Sequence, residues 1–426
     1  MKLLFLGDIA PTGFGTVTMD LGRALLEAGV DVRFASMNTQ EHMEPPEAFA
    51  GRVASLDDPD GWLSTDPRVY PLTRQRIRGM FEGELFPDGW TPDIGMVTGD
   101  MGSLQVSGVM DFLPDGFPIW HYCPIEGVQL PPIWKQVWDR ITPVAMCEAG
   151  AQEIAAVTGH RPPMVYHGID AEAFHPASPE RPIYITVDGE TRKLRSREDC
   201  RKFFGLDPNR IMLLRTDRHM RRKNYASLFR ALGPLLAKRP GIDLVIHCRK
   251  DDHGGKLVDE LSKYGPIVTS DKATIVPFRS GSQIILPGFM DPPFEGLQRP
   301  ALAALYNAAD LYVSVSAEGF GLTIAEAVAC GVPAVGIGYS SVPEVIGPAG
   351  MTAPVGTLID NEYSYFWARV DEPAYMQIVD RLITNTAERR LLGAKGPMHV
   401  REKFDWAKAA RQFIDIFGAV PLEAAA

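Results

Sequence analysis

Long apolar runs are missing from this 426-residue chain, and no stretch is long and apolar enough to span a bilayer as a helix. The five cysteines (Cys123, Cys147, Cys200, Cys248, Cys330) are odd in number and widely spaced, with no Cys-x-x-Cys pair. That usage excludes a disulfide framework or a zinc site of ordinary spacing and fits a reduced, cytoplasmic setting. Positive charge is also in deficit. The formal net charge is −10, which argues weakly against a broad nucleic-acid surface and leaves room for a local basic patch. Short internal repeats are lacking, and so are low-complexity tracts apart from the terminal alanines. No Asp-x-Asp lies in a loop suited to a metal–diphosphate complex, and no histidine–carboxylate cluster has ligand spacing. No bound metal and no cofactor are therefore expected.

What is present is ordinary globular composition, 45% apolar and 23% charged, with 40 glycines and 35 prolines. Many turns and short elements follow, and the length implies two domains. The amino terminus opens like a signal peptide, but its apolar run breaks after Leu6 at Gly7-Asp8, so residues 3–6 read as a first core strand. Residues 12–16 then read as a glycine turn, 17–28 as a helix with Leu21, Ala24, Leu25 and Ala28 on one face, and 30–35 as the next strand. This is a βαβ unit of a doubly wound sheet. Further parallel strands are expected at 94–98, 119–122, 140–146 and 163–166, with a helix at 148–157. Residues 37–90 read as loops with a short helix near 72–81. A hairpin turning at Asp188-Gly189 is expected at 183–189. A second α/β pattern begins at Ile211. It has strands at 211–215, 243–248, 284–287, 311–315 and 332–337, helices at 225–237, 302–309 and 323–330, and a helical carboxyl-terminal region from 387 to 417.

The most informative segment is Glu318-Gly319-Phe320-Gly321-Leu322-Thr323-Ile324-Ala325-Glu326. A buried strand, a glycine turn and a helix start precede and contain it. Free N–H groups of a first helical turn favour an anion. Two carboxylates beside such a site suit a ligand rich in hydroxyls, because carboxylates accept strong hydrogen bonds from them. Phosphate and hydroxyls together describe a nucleotide-sugar. A plainer role for Glu326 also exists, since Thr323-x-x-Glu326 has the form of a capping box.

With these residues in view, the chain resembles a family 4 retaining glycosyltransferase of the GT-B fold. The resemblance rests on several segments in order. They are Gly13-Phe14-Gly15 after the first strand, Ile119-Trp120-His121-Tyr122 as the strand that ends in a histidine at the cleft, and His167-Gly168-Ile169-Asp170 followed by Phe174 and Pro176 leaving the first domain. Asp217-Arg218 with Lys223 matches the family's arginine–lysine pair, and Pro287-Gly288-Phe289 matches its Pro-Gly turn. Glu318 with Glu326 is the E-x7-E signature, continued by Gly331-Val332-Pro333 and Pro343-Glu344-Val345. Asn224 departs from the pattern, standing where glycine usually follows the lysine. Cys123-Pro124-Ile125-Glu126-Gly127 and the 183–189 hairpin also lie outside it.

The resemblance implies two Rossmann-like domains facing each other across a cleft. The expected divisions are an acceptor-side domain at 1–178, a hairpin and linker at 179–205, a nucleotide-sugar domain at 206–398, and a helix at 399–420 returning toward the first domain. It implies a retaining, metal-independent transfer from a nucleoside-diphosphate sugar to an acceptor hydroxyl. In that account Arg218 and Lys223 neutralise the departing diphosphate, Glu318 grips the transferred sugar, and Glu326 bonds the donor ribose. Backbone groups of Gly319, Phe320, Gly321, Leu322 and Thr323 meet sugar and phosphate, Gly13 and Gly15 admit backbone to the ligand, and His121 faces the sugar. Arg221 and Arg222 are expected on a solvated basic face. The acceptor stays open among small molecule, protein, lipid and modified DNA, with the basic segment 77–86 a thin lipid-binding candidate. Two competing readings are another enzyme of this shape, such as a sugar-nucleotide epimerase or a phosphorylase, and a catalytically idle nucleotide-sugar scaffold.

Overall fold

The computed structural model describes residues 1–10, 12–36, 47–56, 76, 78–102, 104, 109–111, 113–288, 297–361 and 363–419. The expected helix near 72–81, most of the 37–90 loops, the 77–86 candidate and Phe289 fall wholly or partly outside these residues. The chain divides into two compact units. One holds Met1–Gly168, Glu362–Tyr365 and Phe404–Ala426, and the other holds Ile169–Asn361 and Phe366–Lys403. The division therefore falls ten residues before the expected 178. The hairpin Ile183–Val187/Glu190–Leu194 belongs to the second unit rather than to a separate linker.

The first unit is built on a six-stranded sheet. In spatial order its strands are Val53–Ser55, Asp31–Ser36, Lys2–Gly7, Ile94–Thr98, Ile119–Cys123 and Thr142–Ala145. Every neighbouring pair is parallel. Numbered along the chain, the order is 3-2-1-4-5-6, that of a dinucleotide-binding doubly wound sheet. Parallel strands are covered on both faces and so read as continuous apolar runs. Leu3, Leu4, Phe5 and Leu6 are correspondingly buried, as are Ile94, Met96 and Val97. The expected strand at 163–166 reduces to one bridge, Ala145 to Met164. The helix Trp406–Gly418 closes this unit, with Phe413 and Phe417 packed on Tyr122 and Trp120.

The glycine turn expected at 12–16 is instead helix. Gly13–Glu27 is one helix, N-capped by Thr12, whose hydroxyl accepts from the Gly15 N–H at 3.0 Å. Asp8 holds the cap in turn, accepting from the Thr12 hydroxyl and the Ala10 N–H. A Cβ on Gly15 would stand 1.8 Å from the Ala10 carbonyl oxygen. The glycine is thus required by the approach of helix to loop, independently of any ligand.

The second unit has an eight-stranded sheet. Its order is Val268–Thr269, Ala273–Pro277, Gln283–Pro287, Ile242–His247, Ile211–Thr216, Leu311–Val313, Ala334–Ile337 and Gly350–Ala353. The six strands from Gln283–Pro287 onward are parallel, and the first two add antiparallel at the edge. Helices Tyr225–Lys238, Arg299–Ala308, Leu322–Ala329 and Thr386–Lys403 carry the crossovers and the carboxyl-terminal part. Asp188 and Gly189 both take positive φ in the hairpin turn, as their sequence leads one to expect. All five cysteines are free and buried. Among the described residues, no helix is long and apolar enough to cross a membrane.

Gly15→Ala is expected to cost more than about 2 kcal/mol of folding free energy, because backbone rather than a flexible side chain opposes the new methyl. Urea unfolding of the variant beside the parent measures this, and equal midpoints would refute it.

Candidate active site

The strand Ile211–Thr216 ends in Arg215 and Thr216, Asp217 comes directly after it, and the short 3-10 turn Arg221–Lys223 follows. Asn224 closes that turn at φ 49° and N-caps the next helix through its side chain. A left-handed position accepts glycine or asparagine most easily. The departure at Asn224 therefore preserves the backbone that the Lys223 side chain depends on.

Lys223 is the centre of a buried ion cluster. Its ammonium donates to Glu318 Oε1 at 2.6 Å and Oε2 at 2.8 Å, and lies 2.9 Å from Asp217 Oδ1. Arg222 Nη1 reaches Glu318 Oε2 at 2.8 Å, and the Ser316 hydroxyl donates to Oε1 at 2.5 Å. Arg215, wholly buried, donates to Ser316 Oγ and to the Lys223 carbonyl. Its Nε lies 2.7 Å from Asp217 Oδ2 but off the axis of a directed hydrogen bond, so the two form a contact ion pair. Burial by itself would raise the Glu318 pKa. The charges of Lys223 and Arg222, with hydrogen bonds from Lys223 and Ser316, outweigh it and hold the carboxyl well below the usual range.

The expected partners are thus rearranged. Lys223 and Glu318 come together, but Arg218 does not join them. Its guanidinium makes a bidentate pair with Asp252, at 3.0 Å from Nε and 2.8 Å from Nη2, and its side chain is 45% exposed. Arg222, expected on a solvated face, takes the place beside Glu318. Only its position next to Lys223 in a basic run hints at this. The arginine–lysine spacing could not indicate which of three nearby arginines turns inward.

Glu318 opens a loop that is lashed down. Ser341 donates to the Glu318 and Phe320 carbonyls, and Ser340 also donates to the Glu318 carbonyl. Gly321 takes φ 100° and stands at the N-cap of the helix Leu322–Ala329, where no side chain caps the terminus. The alternative capping-box role for Thr323 and Glu326 does not hold. Glu326 lies in the second turn, buried, accepting from the Tyr306 hydroxyl at 2.7 Å.

His121 differs from its expected role. The ring is fully buried in the first unit, with Nε2 on the Gly99 carbonyl at 2.9 Å and Nδ1 accepting from the Trp138 indole at 3.3 Å. Desolvation depresses its pKa to about 4, against small opposing contributions from Gly99 and Asp100. It is a neutral core histidine whose two nitrogens are both occupied. His167, paired to the Tyr122 hydroxyl at 2.7 Å, is depressed to about 3 by burial. Gly13 and Gly15 lie in the same unit and serve the helix start described above. Among the described residues, no group of three or more His, Cys, Asp or Glu side chains gathers as a metal site requires.

Residues 209–363 match the family model described as "Glycosyl transferases group 1". A D-inositol 3-phosphate glycosyltransferase of Pseudarthrobacter chlorophenolicus is 24% identical over 85% of this chain and 82% of its own length. An MMP alpha-(1->4)-mannosyltransferase of Mycolicibacterium hassiacum is 24% identical over 95% and 94%. Among solved structures, sucrose-phosphate synthase from Thermosynechococcus elongatus superposes with TM-score 0.69 at 16% identity, covering both chains fully. Anabaena HepE, solved with UDP and glucose, superposes with TM-score 0.67 at 14% identity over 99% of this chain and 100% of that one.

Two expectations follow from the geometry. Lys223→Met strands Glu318 and Asp217 beside each other and should lower unfolding free energy by about 3 kcal/mol. Arg218→Met breaks a pair with one exposed partner and should cost about 1 kcal/mol or less. Urea denaturation ranks them, and a larger loss at Arg218 would contradict the arrangement. The second concerns acid. Unfolded histidine takes its proton near pH 6.5, whereas His121 and His167 resist protonation until about 4 and about 3. Between those limits the unfolded chain binds more protons, so stability should fall as pH drops below 6.5. A thermal midpoint that stays level from pH 6.5 to 4 would tell against buried neutral rings.

A group 1 glycosyl transferases domain over residues 209–363 and relatives named as glycosyltransferases over most of the chain make this chain similar to glycosyltransferases, and both units share the GT-B fold of the solved structures.

Proposed function

We propose that the chain is a retaining glycosyltransferase that moves a sugar from a nucleoside-diphosphate sugar to an acceptor hydroxyl, with side-chain cations in place of a divalent metal. The observation that carries this reading is the Lys223 ammonium, shared between Glu318 and Asp217 and backed by Arg222. It sits at the loop that leads into an uncapped helix start. When the glycosidic C–O bond of the donor breaks, negative charge grows on the leaving diphosphate. A cation about 4 Å from that charge contributes ~4 kcal/mol at an effective dielectric near 20. Part of this is offset by desolvation, and the part that grows toward the transition state accelerates the step.

In this reading the diphosphate meets the backbone N–H groups at Leu322 and Thr323 and draws Lys223 and Arg222 partly away from Glu318. Glu318, kept ionised, accepts hydrogen bonds from hydroxyls of the transferred sugar, and Glu326 accepts them from the donor ribose. The leaving phosphate takes the acceptor proton on the face where the acceptor attacks, which preserves the anomeric configuration. Support for the donor class comes from HepE, solved with UDP and glucose. Support for transfer to a hydroxyl comes from the named activities of the curated relatives. An idle scaffold would have no use for a buried lysine held on the sugar-binding carboxylate.

The test is nucleotide release from UDP-, GDP- and ADP-sugars, with and without candidate acceptors. Lys223→Ala should lower turnover at saturating donor roughly a hundredfold or more. Turnover should survive a chelator, and the product's anomeric proton should keep the donor's coupling pattern by NMR. An unimpaired Lys223→Ala enzyme, activity abolished by the chelator, or an inverted product would each sink the corresponding part.

A further inference from the structure

Tyr306 is among the largest wholly buried side chains of the second unit, and the ion cluster does not account for it. It stands on the helix Arg299–Ala308, which brings its hydroxyl to Glu326 Oε2 at 2.7 Å and to Thr216 Oγ1 at 2.9 Å. A carboxylate only accepts, so the phenol proton is committed to Glu326 and the Thr216 hydroxyl must donate to Tyr306. Tyr312 continues the chain, donating to the Thr216 carbonyl at 3.1 Å. The Tyr306 ring cannot swing away, because Phe174 and Tyr312 pack against it at 6.0 Å each. Burial raises the phenol pKa well above its ordinary value, so it stays a donor across the physiological range.

This arrangement does more than solvate a buried acid. Glu326 sits on a helix that no side chain caps, and its own side chain has three rotatable bonds. Two aromatic walls and a fixed donor chain remove that freedom at one oxygen. Vicinal hydroxyls are read by the direction of a carboxylate's lone pairs, so a fixed Oε2 sets how well the carboxylate can accept from them.

We propose that Tyr306 is the positioning residue for Glu326, its hydroxyl holding Oε2 so that the carboxylate is oriented to accept hydrogen bonds from the 2′- and 3′-hydroxyls of a nucleotide ribose. The inference rests on the reading of Glu326 as the ribose-binding group, and the experiment separates the two. Isothermal titration of the full chain with UDP, GDP and ADP selects the tightest. Its affinity is then compared with that of the matching 2′,3′-dideoxy diphosphate, giving a ribose discrimination ratio. Glu326→Gln should collapse that ratio. Tyr306→Phe should shrink it by roughly tenfold or more while changing dideoxy affinity by no more than about twofold. Tyr306→Phe on top of Glu326→Gln should add nothing further.

A merely structural tyrosine would weaken both ligands alike, and that result overturns the proposal, as does an unchanged ratio in Tyr306→Phe. Should Tyr306→Phe fail to fold, Thr216→Val removes the donor behind the phenol and must shrink the same ratio for the proposal to stand. A parent protein that binds none of the three diphosphates, or binds them without discriminating the dideoxy form, overturns the ribose reading of Glu326 and the proposal with it. Loss of the ratio in Glu326→Gln but not in Tyr306→Phe overturns the proposal alone.

Discussion

One ammonium group between two carboxylates organises the second unit. Lys223 touches Glu318 and Asp217 together, and each anion has a further cation: Arg222 for Glu318 and Arg215 for Asp217. Isolated, any of these charges would be costly to bury. Together they fix the ends of the two strands Ile211–Thr216 and Leu311–Val313 to the loops that leave them. Removing any one member would leave another charge uncompensated, so the cluster holds as a set. The serines complete it. Ser316 passes a hydrogen bond from Arg215 to Glu318, and Ser340 and Ser341 hold the backbone carbonyls of the same loop.

On the proposed function, the consequence of this cluster is preorganisation. Groups that will face a growing negative charge do the most when they need not reorganise at the moment of bond breaking. On the function proposed above, folding has done this for all but the partial shift of Lys223 and Arg222. The carboxylate is ionised, the lysine is held at a distance set by the Asn224 turn, and the helix start has no side-chain competitor for an anion. Tyr306 extends the same logic to Glu326, eight residues downstream of Glu318 and one helical turn deeper.

Much of this was legible in the chain itself. Strand–helix alternation gave the central parallel strands of both sheets, because strands buried on two faces leave an apolar signature, but it missed Val53–Ser55, Val268–Thr269, Ala273–Pro277 and Gly350–Ala353. The Glu318–Glu326 block located the carboxylates. What sequence could not resolve was direction. Arg218, Arg221 and Arg222 lie within five residues of Lys223, and which one points inward depends on a 3-10 turn whose dihedrals the spacing does not encode. Gly13 to Gly15 looked like a loop, because glycine disfavours helix interiors. Close packing on the Ala10 carbonyl overrode that propensity. Thr323 and Glu326 had the letters of a capping box, yet Gly321 holds the N-cap two positions too early for that pairing. His121 ended a strand as expected, but Trp138 and Gly99 fill both of its nitrogens, a tertiary fact with no local signal. Tyr306 sat at a helical spacing that reads simply as core.

The burial of all five thiols has a practical consequence. A cysteine introduced at any exposed position would be the sole accessible nucleophile for maleimide chemistry, with no prior removal of native ones. Fluorophore or spin-label pairs, one on each compact unit, could therefore be installed on an otherwise unaltered polypeptide. The distance between the units, and its response to nucleotide, then becomes directly measurable in solution.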